Sequence, residues 1–128
     1  MTQKDWIAIG VALISTATAH FIGVWPLLGG HPYWSASASM IGFAIGFAFA
    51  LPTLIWLVKG RREALIYFAV YVAMAAIAIY VSTVGKREFV GSYAENRLAG
   101  QFWYFAFIAF IASSVAAIAV FPRLFSKK

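Results

Sequence analysis

From Trp34 to Val58 the chain carries no charged residue, in the run WSASASMIGFAIGFAFALPTLIWLV. A helix of that length crosses the ~30 Å hydrocarbon core of a bilayer. Within it Ala38, Gly42, Gly46 and Ala50 fall four apart, and Ser35, Ser39 and Thr53 lie on the same side of an ideal helix. Together they make a strip of small side chains about four turns long, with Phe43 and Phe47 facing elsewhere. Small-xxx-small strips let a second helix approach backbone to backbone, which is how helices associate in lipid. The strip predicts a packing face and leaves its partner open.

At 128 residues the chain reads as a single domain, 1–128. It is 63% hydrophobic and 11% charged, more apolar surface than a core of its own can hide, so lipid must cover the rest. The net charge of +6 raises the question of nucleic acid. The basic residues, however, stand in short runs at the ends of apolar spans, where anionic head groups meet them. The expected partners are the lipid bilayer and other membrane subunits or copies of the chain itself, with no nucleic acid. The sequence contains no cysteine, which removes disulfides, thiolate chemistry and thiolate-bound metals.

In chain order four spans are predicted, at about 6–28, 34–58, 64–84 and 99–121. Thr2 and Asp5 stand in capping-box spacing before the first. That span is longer than the ~7–15-residue apolar core of a signal peptide, so it reads as a membrane helix. Residues 29–34, GGHPYW, form a tight uncharged turn, in which Pro32 disfavours helix at His31. Gly60 separates the second and third spans. The one substantial loop is expected at 85–98, with Ser92 and Glu95 in capping-box spacing and the fourth helix starting near Tyr93. Pro122 and a basic tail follow the last span.

Lysine and arginine orient the spans. Lys4, Lys59, Arg61, Arg62, Arg123, Lys127 and Lys128 fall on one side, and Lys86, Arg87 and Arg97 on the other. This distribution puts both termini in the cytoplasm and suits a prokaryotic plasma membrane. Lys59, Arg61 and Arg62 are the expected lipid anchors. Small faces are read on the first span at Ala8, Ala12, Ser15, Thr16, Ala19 and Gly23, and on the third at Ala69, Ala73 and Ala76. The fourth offers Ala106, Ala109, Ser113, Ala116 and Ala117. The expectation is an all-α, integral membrane four-helix bundle with bulky aromatics outward.

Chemistry is sparse. No Asp, Glu, Lys or Arg lies within a span, whereas coupled transporters usually place an ionisable group at mid-membrane. The runs WSASASMIGFAIGFAFALPTLIWL and IYFAVYVAMAAIAIYVSTVG resemble the first helical hairpin of microbial rhodopsins, but neither carries a Schiff-base lysine. No phosphate loop, metalloprotease pattern or nucleophile–base pair is present, and the chain is not expected to be an enzyme. His20 is the one buried polar group demanding a role. It reads either as a neutral imidazole bonded to a Ser, Thr or Tyr of a neighbouring helix, or as a ligand or relay. No cofactor held by this chain alone is expected: with no second histidine in reach, haem or copper would have to be shared with a partner chain. Tyr67, Tyr71 and Met74 on the third helix suit either packing or a quinone or pigment contact. Three functional classes remain: a small accessory subunit of a larger membrane complex, respiratory or another oxidoreductase; a homo-oligomeric channel or transporter for a small solute; and a holin-like pore former.

Overall fold

The computed structural model describes residues 1–125; Lys127 and Lys128, counted above on the basic side, lie outside it. Four helices, with no strand among the described residues, follow one another as α1 (Gln3–Phe21), α2 (Ser35–Leu57), α3 (Arg61–Gly91) and α4 (Arg97–Val120). A 3-10 turn, Phe121–Phe125, extends α4. Three of the helices, α2, α3 and α4 with its terminal turn, are long and apolar enough to cross a membrane.

The first helix is shorter than its apolar run. The expected span 6–28 stops being helical at Phe21, because the backbone turns at Gly23, whose φ of +69° suits glycine. Pro26 then lacks the N–H a helix needs and disfavours helix at Trp25. The remaining 19 helical residues include Lys4 and Asp5, and α1 is not among the three spanning candidates.

The third helix is longer than expected. It continues past Val84 to Gly91, so the loop read at 85–98 shrinks to residues 92–96. Lys86, Arg87 and Glu88 are good helix formers, and charge ends a span without ending a helix. Ser92 caps the end of α3 rather than the start of α4: its hydroxyl donates to the Phe89 carbonyl and accepts from the Asn96 N–H. Tyr93 and Ala94 take positive φ, which reverses the chain. The cap of α4 is Asn96, whose Oδ1 accepts from the Ala99 N–H at 3.1 Å.

Packing is organised on α4. The strip Ala38, Gly42, Gly46 and Ala50 is buried, and its partner is α4. A Cβ on Gly42 would stand 2.9 Å from the Ile108 carbonyl oxygen, and one on Gly46 would stand 2.5 Å from that of Ala112. On its other side α4 receives α3 through a seam that the residue sizes disguise. Ala64, Phe68, Tyr71, Ala75, Ala78, Ser82, Gly85 and Phe89 alternate in steps of four and three, and all are buried or half-buried. That is the period of a left-handed helix pair. Ser82 donates to the Trp103 carbonyl, and a Cβ on Gly85 would lie 2.7 Å from the Trp103 nitrogen. The face expected to pack, Ala69, Ala73 and Ala76, is exposed.

The fully buried residues of α1 lie in its first part, Asp5, Ala8, Ile9 and Ala12; of the rest of its expected small face, Thr16 and Ala19 are half-buried, and Ser15 and Gly23 are exposed. Nor are the aromatics all outward. Phe107 is fully buried, with Trp25, Trp103 and Tyr71 nearly so. Their rings fill the space between helices that small residues leave elsewhere.

α2 continues through Pro52, which costs it a backbone hydrogen bond, and finishes in a widened π turn at Thr53–Leu57. Thr53 bridges this irregular segment: its hydroxyl donates to the Phe49 carbonyl at 2.8 Å and lies 2.7 Å from the Tyr71 hydroxyl of α3.

Candidate functional site

Three places concentrate polar or aromatic chemistry. The first joins the two ends of the chain. Arg123, in the 3-10 turn, donates from Nε and Nη2 to the two carboxylate oxygens of Asp5, the Nη2 contact being 2.7 Å. Thr2 adds its hydroxyl at 3.0 Å and its backbone N–H. Asp5 has no exposed surface. Burial alone would raise its carboxyl, but the Arg123 and Thr2 hydrogen bonds outweigh that and hold it below its ordinary value. The pair brings the start of α1 to the end of α4, so the two ends of the described chain share one end of the molecule.

At the opposite end lies an aromatic cluster. His31 stacks on Trp34 with centroids 5.2 Å apart, and Trp103 meets both rings edge-on. Trp103 also donates from Nε1 to the Gly29 carbonyl at 2.8 Å, which pins the 22–34 connection to α4. Lys86 lies 5.7 Å above its ring. The fold thus places His31 in a packed aromatic layer, away from His20.

The third place is the groove between α1 and α2. His20, in the last turn of α1, is half-buried, and its Nδ1 stands 3.5 Å from the Ser39 hydroxyl of α2. Ser39 belongs to the small side of α2 and is itself buried. Leu13, Thr16, Met40 and Phe43 line the rest of a groove of about 340 Å³.

Of the other sequence candidates, Lys59, Arg61 and Arg62 sit together at the exposed turn between α2 and α3. Tyr67, Tyr71 and Met74 line one groove with Phe49 and Ser113, although Tyr71 points to the α4 side of α3 rather than away from it. Among the described residues no three His, Asp or Glu side chains gather as a metal site. Sequence reasoning passed over Asp5 with Arg123, which are 118 positions apart. The one available signal was a carboxylate at the very edge of an apolar run. Comparison with known proteins returns no relative: no family model matches the chain, and neither does any curated protein or solved structure.

Proposed function

We propose that the chain is a small accessory subunit of a larger membrane-embedded complex, contributing helix packing rather than catalysis. The observation carrying this reading is the outer face of α3. Ala69, Ala73 and Ala76 offer close approach there beside exposed Leu65, Ile66, Val70 and Ile77, and none of the other described helices occupies it. Support comes also from the interior: α4 fills the centre, with Phe107, Leu54 and Val120 fully buried. A solute path would therefore have to run between copies, which is the homo-oligomeric channel reading.

In the same proposal α1 is a fourth crossing and both termini are cytoplasmic. Its 19 residues, Gln3–Phe21, reach about 28 Å, with Asp5 near one end beside the end of α4 and His20 near the other beside the start of α2. Reporter fusions at Lys128 and within Val90–Tyr93 should read opposite sides, the former cytoplasmic.

The deciding experiment is purification from the native host in mild detergent, with mass spectrometry of what co-elutes and an absorption spectrum for haem. A larger membrane subunit at fixed stoichiometry is expected. Copies of this chain alone would overturn the accessory role in favour of the channel.

A further inference from the structure

The Ser39 side chain bears on which His20 ring nitrogen donates and which accepts. The Ser39 hydroxyl has one hydrogen, and it is engaged with the Ala36 carbonyl at 2.7 Å. Towards His20 the same oxygen is placed to accept, and a ring with its N–H at Nδ1 matches it across the 3.5 Å contact, the outer limit of a hydrogen bond. The opposite tautomer would set two lone pairs against each other. In the Nδ1–H tautomer Nε2 keeps a bare lone pair, and the ring makes no second hydrogen bond among the described residues. His20 lines the groove between α1 and α2.

The groove states what would satisfy it. Its walls are apolar, with Leu13 and Phe21 from α1 and Met40 and Phe43 from α2, and it is large enough for one aromatic ring with substituents. The molecule that fits is neutral, enters from the lipid, and brings one donor for a single acceptor. Two rings, one from each helix, favour a planar head over an aliphatic one.

We propose that the groove between α1 and α2 binds a lipid-soluble aromatic alcohol, an alkylphenol or a quinol, whose hydroxyl donates to His20 Nε2. Thr16, on the same wall, is placed to meet a second polar substituent. The inference rests on α1 lying in the bilayer, which the reporter fusions read separately, and it stands whatever subunit co-elutes.

The test uses the full chain in nanodiscs with ¹⁵N-histidine, the His20 signals being those lost in His20→Gln. Three probes are titrated: 4-nonylphenol, its methyl ether 4-nonylanisole, and n-dodecanol. One protonated and one bare ring nitrogen are expected, the bare one moving with nonylphenol and not with nonylanisole. Removing the donor should weaken binding about fivefold, the worth of one net hydrogen bond. His20→Phe should weaken nonylphenol by a similar factor, while His20→Gln, which retains a carbonyl acceptor, stays within about twofold. A proton found on Nε2, or equal affinity for nonylphenol and nonylanisole, would overturn the proposal. Dodecanol binding as tightly as nonylphenol would overturn its aromatic class. Because His20→Gln reports on the acceptor rather than on folding, misfolding of His20→Phe leaves the result readable.

Discussion

α3 and α4 have the same mean hydropathy over their most apolar stretches, yet 56% of that stretch is buried in α4 and 11% in α3. Two helices that a hydropathy profile cannot tell apart therefore occupy opposite positions, one the axis of the molecule and the other its flank. Hydropathy measures how well a segment tolerates an apolar environment, and protein and lipid supply that environment equally. What separates the two helices is the placement of small and large residues. α4 meets glycines on both sides, at Gly42 and Gly46 of α2 and at Gly85 of α3, so neighbours close on its backbone from two directions. α3 has one seam and leaves the rest of its circumference uncovered.

The most damaging way to disturb the axis is at its end. Arg123→Ala leaves the Asp5 carboxylate buried without its cation, and losing one partner of such a pair costs about 3–5 kcal/mol. The loss should appear as a lowered melting temperature in detergent, and Asp5→Ala with Arg123→Ala should lose far less than the sum. The pair also has a pH signature. The Asp5 carboxyl is held below its ordinary value of 3.8, so its contribution is complete above that value and is lost as pH falls through the lowered one. Acid scans should show this loss in the wild type and not in Asp5→Asn; matching scans would mean that the pair does not hold α1.

A substitution on the contact face of α2 ranks next. Gly46→Leu forces a branched side chain against the Ala112 carbonyl and should cost about 1–3 kcal/mol, more than Phe47→Leu. On the flank, Ala73→Leu should stay within about 0.5 kcal/mol. If Gly46→Leu and Ala73→Leu melt alike, the contrast between axis and flank is wrong. Within α3 itself, Gly85→Ala should cost about 1 kcal/mol or more, since its Cβ meets the α4 backbone. Gly91→Ala, with nothing within 4 Å, should be neutral. A loss of similar size is expected where α2 meets α3: Thr53→Val removes the partner of the Tyr71 hydroxyl and should cost about 1 kcal/mol. No change on that substitution would show that Tyr71 finds another acceptor.

α2 was the most legible element, because an uncharged run with small residues four apart states both its length and its face. The ends of α1 and α3 were misread for one reason: composition reports where lipid is tolerated, and helices stop for backbone reasons. Gly23 and Pro26 end α1 inside an apolar run, while Lys86, Arg87 and Glu88 carry α3 onward through a polar one. The seam of α3 was hidden because Phe68, Tyr71 and Phe89 share it with alanine, serine and glycine, so a search for small residues alone selected the wrong face. In the candidate site, His20 was legible as a lone polar group within a span. Its pairing with Ser39 was not, since that depends on how α1 crosses α2. Asp5 and Arg123 meet only once the whole fold is assembled.

The central place of α4 has a consequence for how the molecule is made. α1, α2 and α3 all rest on a helix that the ribosome delivers after them, and chains that fold during synthesis generally settle their earlier parts first. Until α4 arrives, the glycine faces of α2 and the seam of α3 have no occupant, and Asp5 has no arginine. Synthesis thus contains an interval in which α1, α2 and α3 stand without the helix that joins them. Premature pairing with foreign helices is the characteristic hazard of that interval, and an insertion machinery that delays lateral release until α4 emerges would shorten it.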